Sequence, residues 1–168
     1  MSNISIIGTG DMARTIGARA TAGGNTVEIM GRDQSKAADL AKALGGGATT
    51  GEWGTAPAGD IVIVALLHDG VVPVIARYGD ALAGKVIVDI SNPFNSTFDG
   101  LAHREETSIA QAKASVEAFI ESLGMRPLDV GGLKMAHWLE GAGVVTVGLA
   151  NHGVGNLNFA LSITELPV

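Results

Sequence analysis

Three small residues near the start of the chain have a spacing typical of phosphate binding. Gly8, Gly10 and Ala13 follow a short apolar run and precede a stretch with helical periodicity. The first glycine permits a tight turn, the second lets a pyrophosphate approach the backbone, and the small third residue lets the helix pack closely on the strand. Free N–H groups at the helix N-terminus would then bind the phosphates. The spacing therefore predicts a dinucleotide site in this turn.

The flanking segments decide how much weight this motif carries. Residues 3–7 are predicted to form a strand, residues 11–22 a helix, and residues 26–30 a second strand. A single G-x-G-x-x-A motif is weak evidence, because such a turn can simply join two elements. Between a strand and a helix, and followed by a second strand, the motif is much stronger. We therefore favour dinucleotide binding over a connecting turn.

The residues after the second strand predict which nucleotide is bound. NAD enzymes usually carry Asp or Glu there, which binds the ribose 2′-hydroxyl. This chain instead has Gly31 and Arg32, followed by Ser35 and Lys36. A guanidinium and an ammonium favour a 2′-phosphate, and Gly31 brings no carboxylate to repel it. The alternative is that Arg32 and Lys36 are ordinary solvated charges at the start of a helix. The pattern favours NADP(H).

The elements that must position these residues follow from the rest of the first half. Residues 61–66 are a continuous apolar run, as expected of a strand covered on both faces, and residues 86–90 form a further strand. Helices are predicted at residues 35–44 and 71–78. Alternating strands and helices predict an α/β fold, a Rossmann-like doubly wound parallel sheet with a short C-terminal helical region.

Ligands of such sheets bind beyond the carboxyl ends of the strands. The glycine turn should therefore lie beside the segments that follow the two later strands. The residues that we expect to line the nicotinamide pocket there are Leu66, Leu67, His68, Ser91, Asn92 and Pro93.

Composition and charge restrict the class of protein. The formal net charge of −6 over 168 residues argues against nucleic acid or an anionic membrane as the main partner. The chain has no Cys, no signal-like N-terminus and no apolar stretch of about 18 residues, so we expect a cytoplasmic protein. A mean hydropathy of +0.31 indicates that another subunit covers part of the surface.

The second half is less regular. The elements predicted there are a helix at residues 107–123, a short strand at 126–130, and a helix at 133–139 that is interrupted or ends near residues 141–143. We expect a dinucleotide-binding Rossmann domain over residues 1–106. Residues 107–168 would form a shortened helix–strand–helix region that packs on this domain and dimerises.

Several segments together resemble a known family. They are Ile4–Gly10, Gly31-Arg32, Tyr78–Lys85 and Val88–Pro93. Residues 112–129 and 133–139 are similar to the same family's later helix and strand and to its C-terminal helix. The family is that of the NADPH-dependent coenzyme F-420 reductases, also described as F-420-dependent NADP oxidoreductases.

The resemblance implies roles for the matching positions. Thr9, Arg32, Ser35 and Lys36 would hold the adenosine 2′-phosphate, Gly8, Gly10, Asp11 and Met12 would line the pyrophosphate, and Ser91, Asn92 and Pro93 would lie near the nicotinamide. The resemblance further implies NADP(H) as cofactor, the deazaflavin coenzyme F-420 as co-substrate, and a homodimer joined partly through the C-terminal helices.

The chain departs from the family pattern in two places. The family has a proline or a small residue at the position of His68. It also has two further strands between the Asn-Pro turn and the late helix, whereas residues 107–111 here continue directly into Ala112-Lys113. The resemblance therefore implies that a segment shaping the hydride-acceptor site is missing.

The candidate reactions differ in the catalytic residues that they need, and the sequence assigns none beyond a weak candidate, His68. Hydride transfer between a nicotinamide and a flavin-like ring needs no protein nucleophile. Reduction of an imine or a carbonyl would need a proton donor, for which His68 is the best-placed residue, although a polar residue at a strand end is the commoner role. The spacing of the four His predicts no metal site.

We therefore predict an NADP(H)-dependent oxidoreductase that acts on a deazaflavin or a similar small-molecule redox substrate. Two alternatives remain open. The first is an NADP(H)-binding protein without catalysis, and the second is an NADPH-dependent imine or carbonyl reductase.

Overall fold

The computed structural model describes residues 1–91, 110–132, 135–156 and Phe159. The strands are β1 (Asn3–Ile7), β2 (Thr26–Met30), β3 (Thr49–Thr50), β4 (Ile61–Val64) and β5 (Val86–Asp89). The α-helices are α1 (Asp11–Ala22), α2 (Gln34–Leu44), α3 (His68–Tyr78), α4 (Ala110–Ser122) and α5 (Ala136–Leu149). A 3-10 turn, Gly79–Leu82, follows α3, and a π-helical turn, Ala150–Val154, follows α5.

The five strands form one parallel sheet in the order β3-β2-β1-β4-β5. Ile7, the last residue of β1, lies opposite Met30 on one side and Val64 on the other, so three strands end at the same level. After β3 the chain crosses to the far side of β1 to form β4. This reversal between β1 and β4 is the position at which doubly wound sheets bind their ligands. The predicted fold class is confirmed.

Both faces of the sheet are covered, which explains the continuous apolar runs in its central strands. Ile4 and Ile6 of β1 face a core that contains apolar residues of α1 and α2 and also Phe119 of α4. Ile7 faces a second core, which contains Tyr78 at the end of α3. Because neighbouring residues of a strand point to opposite faces, β1 contributes to both cores.

One polar cluster is built into the sheet beside the second core. Ser5 is fully buried, and its hydroxyl donates to a carboxylate oxygen of Glu28 across the β1–β2 pair at 2.5 Å. The backbone N–H groups of Ala58 and Gly59 donate to Glu28 and to the Ser5 hydroxyl at 2.9 and 2.8 Å. Glu28 therefore holds the loop that leads into β4.

Helix α4 packs at the amino end of the sheet through a buried amide. The side chain of Asn25, in the turn between α1 and β2, donates to the hydroxyl of Ser122 at 2.8 Å and to the carbonyl of Ala20 at 3.1 Å. Its oxygen accepts from the N–H of Ser2 at 2.8 Å. A side chain on Gly23 would collide with the carbonyl of Ser122, so a glycine is needed there for this contact.

Two predictions for the second half are wrong. Residues 126–130 do not form a strand, and the exposed Leu128 and Val130 show that no neighbouring strand covers this segment. Helix α5 is not interrupted at residues 141–143 but continues to Leu149. A glycine within a helix costs only about 1 kcal/mol relative to alanine, and here the helix continues through the apolar residues that follow.

The boundaries near the predicted site also shift. Strand β4 ends at Val64 rather than Leu66, and α3 begins at His68 rather than Val71. The N–H of Ala65 still donates to the carbonyl of Ile7 at 2.9 Å, but the chain then leaves the sheet. Leu66 and Leu67 consequently belong to the loop that crosses the carboxyl edge.

Contacts between residues divide the chain into two units. The first comprises residues 1–91 and 108–129, and the second residues 92–107 and 130–168. The predicted boundary at residue 106 lies outside the described residues and stays a prediction. Within the described ranges, no helix combines the length and the apolar character needed to cross a membrane.

Candidate nucleotide-binding site

The turn after β1 is held by its backbone. The N–H of Gly8 donates to the carbonyl of Met30 at 2.9 Å, which ties the turn to the end of β2. Gly8 has a φ of +137°, and a Cβ at this position would collide with the carbonyl oxygen of Ala65. The first glycine of the motif is therefore required twice, for its backbone conformation and for the close approach of the chain after β4.

The second glycine leaves open space in front of a helix. Gly10 is the N-cap of α1, and a Cβ there would have no atom within 4 Å. No side chain caps α1, so its first-turn N–H groups have no side-chain acceptor. Ala13 is fully buried in the first core, where its small side chain lets α1 pack on the sheet. An uncapped helix N-terminus facing open space fits a pyrophosphate.

Thr9 and Gly31 bring the first turn against the end of β2. Gly31 is buried, and a Cβ on it would lie 2.7 Å from the methyl carbon of Thr9. The absence of a side chain at position 31 therefore has a packing reason in addition to the electrostatic one. Arg32 follows directly and is exposed at the carboxyl edge of the sheet. Arg32 follows the end of β2, where the residue that binds the adenosine ribose of a dinucleotide is expected.

The start of α2 differs from the start of α1, because an acidic side chain caps it. Asp33 is the N-cap and accepts hydrogen bonds from the N–H of Ser35 at 3.0 Å and the N–H of Lys36 at 3.3 Å. The same carboxylate oxygen accepts from the Ser35 hydroxyl at 2.6 Å. The Lys36 ammonium lies 4.0 Å from the second oxygen. These bonds, led by that of the Ser35 hydroxyl, lower the pKa of Asp33.

A cleft of about 260 Å³ separates the first turn from the ends of β4 and β5. The residues that line it are Gly10, Asp11, Met12, Ala65, Leu66, Leu67 and Ile90. The site prediction included five of these seven residues. Ala65 and Ile90 were not included, although both directly follow a buried or half-buried strand at the carboxyl edge, where lining residues are expected.

Two apolar side chains at the cleft are largely exposed to solvent. Leu67, in the loop after β4, is 81% exposed, and Met12, in the first turn of α1, is 57% exposed. Exposed aliphatic groups beside a pocket are typical of a site whose ligand covers them.

The remaining predicted residues lie at the same edge or outside the described residues. His68 is the first residue of α3 and is half-buried, but it is absent from the lining of the cleft. Ser91 follows β5, and its N–H donates to a carboxylate oxygen of Asp89 at 2.8 Å. Asn92 and Pro93 are outside the described residues, so their predicted place near the nicotinamide is untested.

Together these residues fit a dinucleotide better than a metal ion. The structure joins a backbone cradle at Gly8 and Gly10, an uncapped helix N-terminus, an exposed Arg32 and an apolar cleft along one edge of the sheet. Within the described ranges, no three His, Asp or Glu side chains are grouped so as to hold a metal ion.

Solved structures with the same arrangement of strands and helices are known. A hypothetical protein from Sinorhizobium meliloti, SMa0349, superposes with a TM-score of 0.68 at 19% identity, over 78% of this chain and 85% of that one. A candidate NADP oxidoreductase from Bacteroides fragilis, BF3122, superposes with a TM-score of 0.64 at 18% identity, over 90% of this chain and 68% of that one. At these identities the likeness establishes the fold alone.

Sequence comparison gives a named relative and a family. The metalloreductase STEAP3 of Rattus norvegicus is 29% identical over 105 residues, which are 62% of this chain. The aligned part is 20% of the rat protein, so this chain spans only a fraction of that relative's length. The model of the family described as NADP oxidoreductase, coenzyme F-420-dependent, matches residues 3–93, and the chain belongs to this family.

Proposed function

We propose that the protein transfers a hydride between NADP(H) and a deazaflavin coenzyme such as F-420, or a similar ring acceptor. The family is one of NADP oxidoreductases, which supports NADP(H) as the nucleotide. The observation that carries the proposal is the apolar cleft at the switch point between β1 and β4, directly beside the nucleotide-binding turn.

The proposed roles of the residues follow from their positions. The first-turn N–H groups of α1 would bind the pyrophosphate, with Gly10 leaving room for it. Arg32 would bind the 2′-phosphate. Met12 and Leu67 would orient the nicotinamide and exclude water from its face. When bound, the nicotinamide supplies the hydride chemistry itself.

The lining of the cleft supports a ring acceptor over an imine or a carbonyl. Asp11 is the one ionisable residue among the described residues that line it. Transfer of a hydride between two rings needs stacking and exclusion of water, which aliphatic side chains provide. Reduction of an imine or a carbonyl would need a proton donor within hydrogen-bonding reach, and His68 is not part of the lining.

The name of the rat relative provides a second candidate acceptor, a metal ion. A hydride carries two electrons, whereas many metal ions, Fe³⁺ among them, accept one electron at a time. A ring acceptor would therefore have to stand between the nicotinamide and the metal. Ferric reduction that occurs only when a flavin or deazaflavin is added would support this extended reaction.

We propose a homodimer in the cytoplasm. Helix α5 supports the dimer, because Leu139, Val145 and Leu149 are each more than 40% exposed along it. Sedimentation of the full chain over a range of concentrations tests this proposal.

The experiment that tests the function measures NADPH binding and turnover on the same protein. NADPH oxidation is followed by the absorbance of the reduced nicotinamide, with oxidised F-420, with FAD, and with no acceptor. Arg32→Ala should raise the dissociation constant of NADPH roughly ten- to a hundred-fold, because charge-assisted hydrogen bonds contribute about 1.5–3 kcal/mol. The matched control is Arg19→Ala, on the exposed last turn of α1 at the opposite edge.

The outcomes separate a deazaflavin oxidoreductase from a nucleotide-binding protein and also test the nucleotide site itself. Turnover with F-420 that is weakened by Arg32→Ala at limiting NADPH, but unchanged by Arg19→Ala, supports the proposal. Tight NADPH binding without turnover of any acceptor would indicate a binding protein. NADPH binding that is insensitive to Arg32→Ala would contradict the assignment of the 2′-phosphate site.

A further inference from the structure

A carboxylate occupies donors that would otherwise be available to the 2′-phosphate of NADP(H). Ser35 and Lys36 are the residues after Arg32 that the resemblance assigns to this phosphate. In the structure, both backbone N–H groups and the Ser35 hydroxyl donate to Asp33. The ammonium of Lys36 also lies on the Asp33 side of the helix, 4.0 Å from its second oxygen.

The geometry points to Asp33 as a residue that determines nucleotide specificity, by acting as an internal competitor of the 2′-phosphate. The inference rests on the proposed nucleotide site. Asp33 does not touch the reacting atoms, and its effect is exerted through the donors that it holds and through its negative charge beside Arg32.

The physical argument compares the two nucleotides. NADPH brings a doubly charged phosphate to this corner, whereas NADH brings a neutral hydroxyl. The Asp33 charge repels the first and leaves the second unaffected, and its second oxygen lies 4.0 Å from the Lys36 ammonium and partly offsets that positive charge. Asp33 and Lys36 have side chains 50% and 70% exposed, so the effect belongs to the range of exposed ion pairs. Asp33 therefore reduces the preference for NADPH without abolishing it.

The contrast with α1 shows that the acidic cap acts at one subsite only. At α1, the N-cap is Gly10 and no side chain accepts from the first-turn N–H groups. At α2, a carboxylate already satisfies two of them. The pyrophosphate end of the site is thus open to an anion, whereas the 2′-phosphate end contains one of its own.

The test replaces the charge and keeps the cap. Asparagine caps helices about as well as aspartate, so Asp33→Asn should retain α2. The variant should bind NADPH about two- to five-fold more tightly than the native chain and NADH equally well, as measured by fluorescence titration with each nucleotide. Raising the ionic strength to about 1 M, where the Debye length is about 3 Å, should remove most of the gain.

Three further variants complete the test. Asp60→Asn removes a charge at the amino edge of the sheet, before β4, and should change neither affinity. Asp33→Ser also supplies a capping oxygen without a charge, and it replaces Asp33→Asn if that variant does not fold. Ser35→Ala should alter NADPH affinity less than two-fold, about 0.4 kcal/mol or less, because the Ser35 hydroxyl is already bonded to Asp33.

The failures of the two proposals can be told apart. If the native chain binds neither nucleotide, the nucleotide site is wrong and the role of Asp33 with it. If the native chain binds NADPH through Arg32 but the ratio of NADPH to NADH affinity is the same in the neutral variant, only the inference about Asp33 is overturned. An equal gain for both nucleotides would also overturn it, since the argument depends on the 2′-phosphate.

Discussion

Gly8 and Gly10 belong to one motif, but the structure gives them different tasks. Gly8 has a positive φ and no room for a Cβ, because the Ala65 carbonyl lies against it. Gly10 has an ordinary φ of −84° and open space around it. The first glycine is therefore needed for the protein to fold, and the second for the ligand to approach.

This difference predicts that the same substitution affects mainly stability at Gly8 and mainly nucleotide binding at Gly10. Gly8→Ala should destabilise the protein by about 1–3 kcal/mol from backbone conformation alone, with a steric cost in addition. Gly10→Ala should cost about 1 kcal/mol or less, the price of a poorer N-cap. It should nevertheless weaken NADPH binding, because a methyl group then stands where the pyrophosphate approaches. Urea unfolding and nucleotide titration of both variants check this, and equal losses of stability would contradict it.

The positions in the fold of the residues proposed for the site were predictable from sequence where the backbone determines them. The glycine turn and the Gly31-Arg32 pair lie where the motif indicates, because parallel strands of equal register end together. The cap formed by Asp33 was not predicted, since a carboxylate next to Arg32 reads equally well as a solvated charge. Whether Ser35 is free for a ligand depends on its rotamer, which the sequence does not state.

At the scale of elements, the contact between α4 and the α1–β2 turn depends on a single buried amide. Asn25 is 3% exposed and bonds to Ser2, Ala20 and Ser122, which belong to three separate segments. Such a residue cannot be replaced by a smaller apolar one without leaving buried polar groups unpaired. The attachment of the late helix to the sheet is therefore specific.

Asn25→Ala should lower the free energy of unfolding by roughly 1–3 kcal/mol, because the N–H of Ser2 loses its acceptor and the Ser122 oxygen loses a donor. The Ser122 hydroxyl keeps its own bond to the carbonyl of Phe119 at 2.6 Å. The matched control is Asn3→Ala, whose side chain bonds to Thr26 at the surface and whose loss should cost about 0.5 kcal/mol or less. Urea denaturation measures both. A loss for Asn25→Ala no larger than that of Asn3→Ala would show that the contact with α4 contributes little.

The bounds of helices and strands were predictable from sequence where the element has a clearly buried face. Strands β1 and β2 and helix α1 have the bounds expected from their apolar periodicity, because one pattern determines both the element and its buried face. The wrong strand at residues 126–130 has the same short apolar pattern as a true strand. Pairing with a neighbouring strand decides between the two cases, and the local sequence does not contain that information.

For the molecule as a whole, Tyr78 makes stability depend on alkaline pH. Its hydroxyl is buried and has no hydrogen-bond partner of good geometry, although the N–H of Gly54 approaches it. Burial raises the pKa of Tyr78, and the nearby charge of Glu28 acts in the same direction. Removing the proton from Tyr78 is therefore harder in the folded protein than in the unfolded chain.

The sign of the pH effect follows from this difference. The unfolded tyrosine ionises near pH 10, while the folded one keeps its proton to higher pH. Above about pH 10 the unfolded chain therefore binds fewer protons, and the free energy of unfolding falls as pH rises through the folded pKa. Tyr78 is the sole tyrosine of the chain, so tyrosinate absorbance reports on it alone.

We expect the urea concentration at the unfolding midpoint to decrease as the pH is raised from about 9 to about 11. The tyrosinate absorbance of the native protein should appear at a higher pH than that of the urea-unfolded chain. Tyr78→Phe should remove the tyrosine-dependent part of this fall, while its stability at neutral pH stays within about 1 kcal/mol of the native chain. If Tyr78 of the native protein is half-ionised at the same pH as in the unfolded chain, or at a lower one, the prediction is wrong.

The proposed ligand site and the contact that attaches α4 lie at opposite edges of the sheet. The cleft, the uncapped start of α1 and Arg32 lie at the carboxyl edge, whereas Asn25 and the contact with α4 lie at the amino edge. Apart from Gly8, which the fold itself needs at the carboxyl edge, substitutions aimed at ligand binding and substitutions aimed at the contact with α4 therefore fall at opposite edges of the sheet. In evolution, substitutions at the cleft can therefore change the acceptor, while substitutions at the amino edge are limited only by their effect on stability. In laboratory evolution, stabilising changes collected around Asn25 could accordingly be carried into any library built around Met12 and Leu67 without redesign.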